Sequence, residues 1–420
     1  PVTLPAQREP VFKQIAVPHN YYYREMYLPQ ATSGPSAAAW SPDGTELVYS
    51  MQGSLWRQRL GVAEAVQLTD GPGYDYQPDW SPDGRSIVYT SYRNDALELW
   101  LLDLSDQSTR PLVANGAVNL DPRWSPDGAR IAFVSTAYQG RWHVYLLEVD
   151  RRSTRPSATA PPLRITVDSA SGLPRYYYSA WDHYLSPSWS PDGKELILVS
   201  NRGQIWGSGG IWRMEARAGA PMRELRREET NWKARPDWSR DGRRVVYSSY
   251  LGRQRNQLWL TTSDGGDPFQ LTYCECDHTA PRWSPDGRRV AFVSNEAGNT
   301  SLRVVTIPGG ATEVIPTIVR TPLHPTGRLV LSLADATGSP LSARVSVTGA
   351  DGRGWAPPDA WRHADDGFDR KERRFEVTYF HADRGATLTL PPGEYTVLVS
   401  KGLEFSPETR RVIVVAGATH

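Results

Sequence analysis

An all-β chain, a six-bladed β-propeller followed by a small β-sandwich, is predicted by three observations. The pentapeptide Trp-Ser-Pro-Asp-Gly and a short run of β-branched and aromatic residues recur six times, on Trp40, Trp80, Trp124, Trp189, Trp238 and Trp283. Successive copies lie 40, 44, 65, 49 and 45 residues apart, and a period in the forties made of short strands marks a propeller blade. Near Pro316 this pattern gives way to about 90 residues of short strands joined by tight turns, as in a small sandwich.

Each copy of the motif explains itself. Proline presets φ for a turn, aspartate caps its own backbone, and glycine takes the positive φ that closes a hairpin. The fifth copy reads Trp238-Ser239-Arg240-Asp241-Gly242 and keeps the Asp-Gly turn without the proline. The runs that follow, such as Ile131-Ala132-Phe133-Val134 and Leu196-Ile197-Leu198-Val199, are apolar on both faces. Strands pressed between neighbouring blades require that.

Taken in order, residues 1–30 carry the cluster Tyr21-Tyr22-Tyr23 and are too short for a domain, so they are expected to form an N-terminal strap on the ring. Residues 31–318 supply the blades, with third strands such as Leu55-Trp56-Arg57-Gln58 and fourth strands ending near Gln67-Leu68-Thr69. The interval before Trp189 is about twenty residues longer than its neighbours and holds Tyr176-Tyr177-Tyr178 and Trp181-Asp182-His183-Tyr184. Long aromatic loops are seldom spacers. Residues 319–420 form the sandwich, interrupted by a charged loop from Trp355 to Arg374 that contains Trp361 and His363.

The 420 residues include 47 basic and 46 acidic side chains, for a net charge of +1, so neither nucleic acid nor an anionic membrane is an expected partner. No apolar run approaches the roughly 20 residues that span a bilayer, which argues against membrane insertion. The chain opens on Pro1. This is read as the mark of a removed leader and of a periplasmic or secreted location.

The six anchors resemble those of the TolB-type propeller family over roughly residues 36 to 315. In the tail, Val345-Ser346-Val347-Thr348-Gly349, Trp361-Arg362-His363-Ala364-Asp365-Asp366, Tyr379-Phe380-His381 and Pro391-Pro392-Gly393-Glu394-Tyr395 resemble the carboxypeptidase-regulatory-like sandwich. In some exported bacterial proteins that sandwich sits between such a propeller and a CehA/McbA-like metallohydrolase domain of the PHP type. The resemblance implies a hydrolase neighbourhood whose divalent metal would lie in an associated catalytic domain, beyond His420 or on a partner chain.

The chain itself offers no catalytic frame. It has no His-Glu-x-x-His, no Gly-x-x-x-x-Gly-Lys and no Gly-x-Ser-x-Gly, so no catalytic residue, metal ligand or cofactor is assigned within it. Cys274-Glu275-Cys276-Asp277-His278 has metal-ligand types, but in an extended strand donors two apart lie about 7 Å from each other. The same distance disfavours a Cys274–Cys276 bridge, so free or loop-strained thiols are expected there.

The candidate binding residues are those that lead into each innermost strand, because these segments line one mouth of the channel. They are Tyr74, Asp75, Asn119, Asp182, His183, Tyr184, Trp232, Asp277 and His278, with Tyr76 and Lys233 beside them. The competing reading is that each aspartate caps a turn. Two functions follow from these observations. One is a non-catalytic propeller and sandwich scaffold of an exported metal-dependent hydrolase, docking or gating a catalytic domain. The other is a stand-alone periplasmic TolB-like module that binds a protein or peptide.

Overall fold

The computed structural model describes residues 32–420 except 72, 94–95, 151–156, 176–178, 206, 208, 229–233, 252–253 and 365–377. The expected N-terminal strap, the triple tyrosine 176–178, Trp232 and Lys233 therefore lie outside the described residues. The described chain is all-β, with no helix among these residues.

Six four-stranded antiparallel blades follow one another along the sequence, each built from contiguous strands. Their innermost strands are Ser36–Trp40, Tyr74–Trp80, Asn119–Trp124, Tyr184–Trp189, Asp237–Trp238 and His278–Trp283. Each ends on an anchor tryptophan. The turn that follows forms as its residues dictate: Gly44, Gly84, Gly128, Gly193, Gly242 and Gly287 all have φ between 67° and 75°. Within each turn the serine hydroxyl donates to the aspartate, as from Ser41 Oγ to Asp43 Oδ1 at 2.6 Å, and accepts a later amide, as from Glu46 at 2.9 Å. Blade 5 closes identically, with Ser239 Oγ 2.6 Å from Asp241 Oδ1. Aspartate and glycine thus suffice for the turn.

The post-turn strands are buried throughout. Ile131, Ala132, Phe133 and Val134 are all at 0 % exposure, because each blade lies between two others. Blades are also latched at the tryptophans: Arg130, Arg244 and Arg289 stack on Trp189, Trp283 and Trp40 of the next blade at 4.7–4.9 Å. The last of these latches spans blades 6 and 1. Arg289 Nη2 there also donates to Gly44 O at 3.0 Å, and Trp40 Nε1 to Arg282 O at 2.9 Å. No strand of blade 6 joins the sheet of blade 1. Instead Val319–Thr321, just after blade 6, adds in parallel to the outer strand Glu64–Gln67 of blade 1. The residues at the predicted start of the sandwich thus pair with the propeller.

The C-terminal unit has two sheets. Gly327–Ser332 pairs with Gly385–Leu390, and a larger sheet contains His363–Ala364, Thr378–Asp383, Ser342–Gly349, Gly393–Ser400 and Glu408–Val414, with Gly354–Trp355 on its flank. Leu329, Leu388 and Leu390 of the first sheet share one core with Val345, Val347, Phe380, Val397 and Val414 of the second. The unit is fastened to the propeller by Arg353, which donates to Gly71 O at 3.2 Å and Gly73 O at 3.1 Å. Gly354 N and Arg362 Nη2 both donate to Tyr74 Oη, at 2.9 and 3.2 Å. The long loop from Trp355 lies partly in this contact, through Pro358 and Ala360.

Candidate functional site

The channel has two ends, one where the inner strands start and one where they turn. The predicted mouth is the strand-start end. Tyr74 is 6 % exposed and its hydroxyl receives the C-terminal unit. Asp75 is buried, accepts from Ser91 Oγ at 2.6 Å and pairs with Arg93 at 3.5 Å. Burial raises its pKa against that pull. Asn119 donates to Leu97 O, Asn115 Oδ1 and Ala117 O. Asp182 accepts from Arg175 Nη2 at 2.6 Å, a pair 1–2 % exposed that pins the insertion.

Tyr184 is fully buried, donates to Val167 O at 2.8 Å and stacks on His143 with centroids 5.5 Å apart. Burial and the Asp182 charge push its pKa far up. His183 is 6 % exposed and its amide donates to Asn201 Oδ1 at 3.0 Å. Asp277 accepts from the Asn256 amide at 2.9 Å and from Asn295 Nδ2 at 3.2 Å. These residues do not converge on one another: each is engaged by its own blade, its insertion, the C-terminal unit or the blade before it, as where Asn119 reaches Leu97 O, Tyr184 reaches His143 and Asp277 reaches Asn256.

His278 behaves differently. It is 4 % exposed, packs edge-on against Phe292 at 4.8 Å, and has Nε2 3.3 Å from Cys276 Sγ and 3.6 Å from Cys274 Sγ. Burial, then Arg303, holds its pKa down to about 4. The expectation of free, separated cysteines is corrected here. Cys274 and Cys276 form a disulfide with Cα atoms 5.1 Å apart, because residues 271–277 form a loop rather than an extended strand. The three donors lie within 4.8 Å of one another.

The turn end holds what the sequence reading missed. Residues of all six blades line a pocket of about 170 Å3. It is lined by the six anchor tryptophans, each 6–8 % exposed, and by Pro42, Pro82, Pro126, Pro191 and Pro285, with Arg240 at the blade that lacks the proline. Beneath lie Asp79, Arg123, Ser188, Asp237 and Arg282, each the residue before an anchor tryptophan. Blade 1 has Ala39 at that position, so the order small, acidic, basic occurs twice around the ring. The floor has approximate twofold symmetry.

The bonds repeat accordingly. Asp79 accepts from Trp124 N at 2.8 Å and Asp237 from Trp283 N at 2.7 Å, each reaching the next blade. Arg282 Nη2 lies 2.6 Å from Asp79, its Nε 3.6 Å from Asp237, and Arg123 lies 3.6 Å from Asp79. Burial pushes both carboxyls up to about 6, opposed first by Arg123. Four buried donors have no partner among the described residues: Arg123 Nε, Arg282 Nη1, Trp124 Nε1 and Trp283 Nε1.

A deeper tier sits three residues before each tryptophan, where Ala37, Gln77, Asp121, Ser186, Arg235 and Ala280 all adopt φ of 39–53°. This left-handed step costs a non-glycine residue about 1 kcal/mol or more, and it bulges the inner strand in five blades. Bulges re-aim side chains. Here Arg235 Nη1 meets Asp121 at 2.7 Å across two blades, while Asp121 N donates to Gln77 Oε1 at 3.0 Å. A signal for both tiers was present: proline precedes the pre-tryptophan residue in five of six copies, and aligning the copies on it exposes the Asp/Arg alternation.

Residues 24–160 and 170–354 match the family described as PD40, TolB beta propeller domain. Among solved structures, TolB from Acinetobacter baumannii is similar at 21% identity and TM-score 0.51, over 68% of this chain and 65% of that one. A candidate TolB from Agrobacterium tumefaciens is similar at 25% identity and TM-score 0.47, over 60% and 84% of the two chains. No curated protein matches the sequence.

Proposed function

Because this chain belongs to the family of TolB beta propeller domains, we propose that it works as a non-catalytic scaffold, exported to the periplasm or beyond, that holds a polypeptide partner at the turn end of its propeller. The carrying observation is the collar of tryptophan and proline over a floor with unpartnered donors. Such a rim suits apolar side chains, and tryptophan is a frequent anchor in protein interfaces. The spare guanidinium and indole N–H groups suit backbone carbonyls, since an unmet buried donor costs about 1–3 kcal/mol until an acceptor arrives. A floor with two acids and two bases favours a neutral segment over an ion.

The partner in this reading is the catalytic domain of a metal-dependent hydrolase, beyond His420 or on a separate chain. It rests on the likeness of the C-terminal motifs to the sandwich that neighbours PHP-type domains. The propeller and C-terminal unit, joined through Tyr74, Arg353 and Arg362, would offer that domain one platform. The stand-alone peptide-binding module is kept as the second reading, because the collar itself does not depend on the C-terminal unit.

A photo-crosslinking amino acid at position 240 on the rim, and at exposed Val330 as control, tests this in the native host. Crosslinks from position 240 to a domain with a His/Asp ligand set support the hydrolase scaffold. Crosslinks to any other polypeptide support the stand-alone module, and labelling no stronger than from position 330 removes the scaffold reading. The purified chain should hydrolyse no ester, amide or phosphoester with or without zinc or manganese. Turnover by the chain alone would overturn the non-catalytic assignment.

A further inference from the structure

We propose that Cys274, Cys276 and His278 form a redox-gated site for a thiophilic divalent cation of the zinc type. The geometry is the first argument. Ligand atoms sharing one zinc ion, at about 2.3 Å for sulfur and 2.0–2.1 Å for imidazole, stand about 3.5 Å from each other. In the disulfide, His278 Nε2 stands 3.3 Å from one sulfur and 3.6 Å from the other, so after reduction only the two sulfurs must part for all three donors to share one ion.

Placement is the second argument. His278 opens the inner strand of blade 6, paired in register with Ser294, its amide donates to Asn256 O at 2.8 Å, and its ring is held edge-on by Phe292. Cys276 is buried at 6 % exposure beside Ser294, whereas Cys274 is half-buried next to exposed Tyr273 and Glu275. One ligand side therefore faces solvent. Two thiolates and a neutral imidazole would cancel the charge of a divalent ion and leave its fourth position open. That donor set selects zinc over magnesium or calcium.

The oxidised state excludes the metal, since both sulfurs are spent in the Cys274–Cys276 bond. A disulfide between residues two apart closes a very short loop, so it restrains little chain entropy and stabilises the fold little. Its reduction has a defined course. A thiolate of a dithiol reductant attacks the half-buried Cys274 sulfur and releases Cys276 as thiolate. The second thiol of the reductant then resolves the mixed disulfide, leaving the reductant oxidised and its two protons on Cys274 and Cys276. Zinc then binds with loss of those two protons. His278 Nδ1 has no hydrogen-bond partner to orient the ring from behind, so the affinity should fall below that of structural zinc sites.

The test uses the full 420-residue chain, reduced with a dithiol that is then removed anaerobically, and titrated with Zn2+ against a chromophoric chelator. Co2+ serves as a spectroscopic probe for thiolate charge-transfer absorption. One zinc per chain is expected after reduction and none before it. Binding should weaken at least tenfold in Cys274→Ser and in His278→Ala. Because His278 is buried and its removal could disturb folding, the deciding variant is Cys274→Ser with an unchanged circular dichroism spectrum. A reduced chain that binds no zinc, a Cys274→Ser chain that binds as tightly as wild type, or equal binding by the oxidised chain would each overturn the proposal.

Discussion

The two ends of the propeller channel use polar residues over different ranges. At the strand-start end polar groups bond to what lies beside them: Asp182 pins the insertion through Arg175, Asp277 and Asn119 tie their blades to Asn256 and Leu97 of the preceding blade, and Tyr74 receives the C-terminal unit. At the turn end the charges reach across blades, Asp79 to Trp124 and Arg282, Asp237 to Trp283, Asp121 to Arg235. Polarity in the first region therefore ties neighbours together, and in the second it also spans the channel between blades that are not adjacent.

The strongest way to break this comparison is Arg282→Ala. It leaves Asp79 and Asp237 buried with weaker compensation, and stripping one partner from a buried ion cluster costs about 3–5 kcal/mol. Urea unfolding at pH 8 should show that loss. It should shrink at pH 5, where the carboxyls, already raised to about 6, take up protons. An equal loss at both pH values would mean that Arg282 acts by packing alone.

The pH dependence carried by the turn-end carboxyls and that carried by His143 should differ in sign. Asp79 and Asp237 have folded pKa values raised to about 6, so between about 4 and 6 the folded state holds more protons than the unfolded one and their contribution to stability falls as pH rises. His143, at the strand-start end, is held down to about 4 by burial and Arg164. Its contribution is present above about 6.5 and is lost as pH falls toward 4. Each swing is on the order of 3 kcal/mol. Unfolding free energies of Asp79→Asn and His143→Phe, measured from pH 4 to 7, should deviate from wild type with opposite slopes, and parallel curves would erase the distinction.

Gly128→Val tests the turn itself. A β-branched residue at φ 68° should lose about 2 kcal/mol. Gly309 also has φ of 56° with open space around it, so it cannot serve as the unstrained control that its place outside the motif suggests. Ala129→Val, next in the chain, is the better reference and should be near neutral by thermal melt.

The smallest effect is expected at Asp277→Ala, about 1 kcal/mol for the loss of a loop cap. A melt unchanged from wild type, together with weakened binding of a partner, would instead return the strand-start end to a contact surface.

Much of this was legible from the residues alone. The repeat of Trp-Ser-Pro-Asp-Gly determined the number of blades, the place of every hairpin and the sandwiched strands after them, because turn chemistry and hydrophobic period act within a few residues. It also determined that blade 5 would close without its proline. The tertiary structure alone decided which charges meet. Asp121 and Arg235 are 114 residues apart, and no local rule pairs them until the ring brings their blades to one axis. It likewise decided that Cys274, Cys276 and His278 converge, since a loop brings together donors that an extended strand would keep apart. Residues near in sequence set the turns; residues near only in space set the channel, because electrostatic and metal-ligand contacts depend on distance across the closed ring and not on order along the chain.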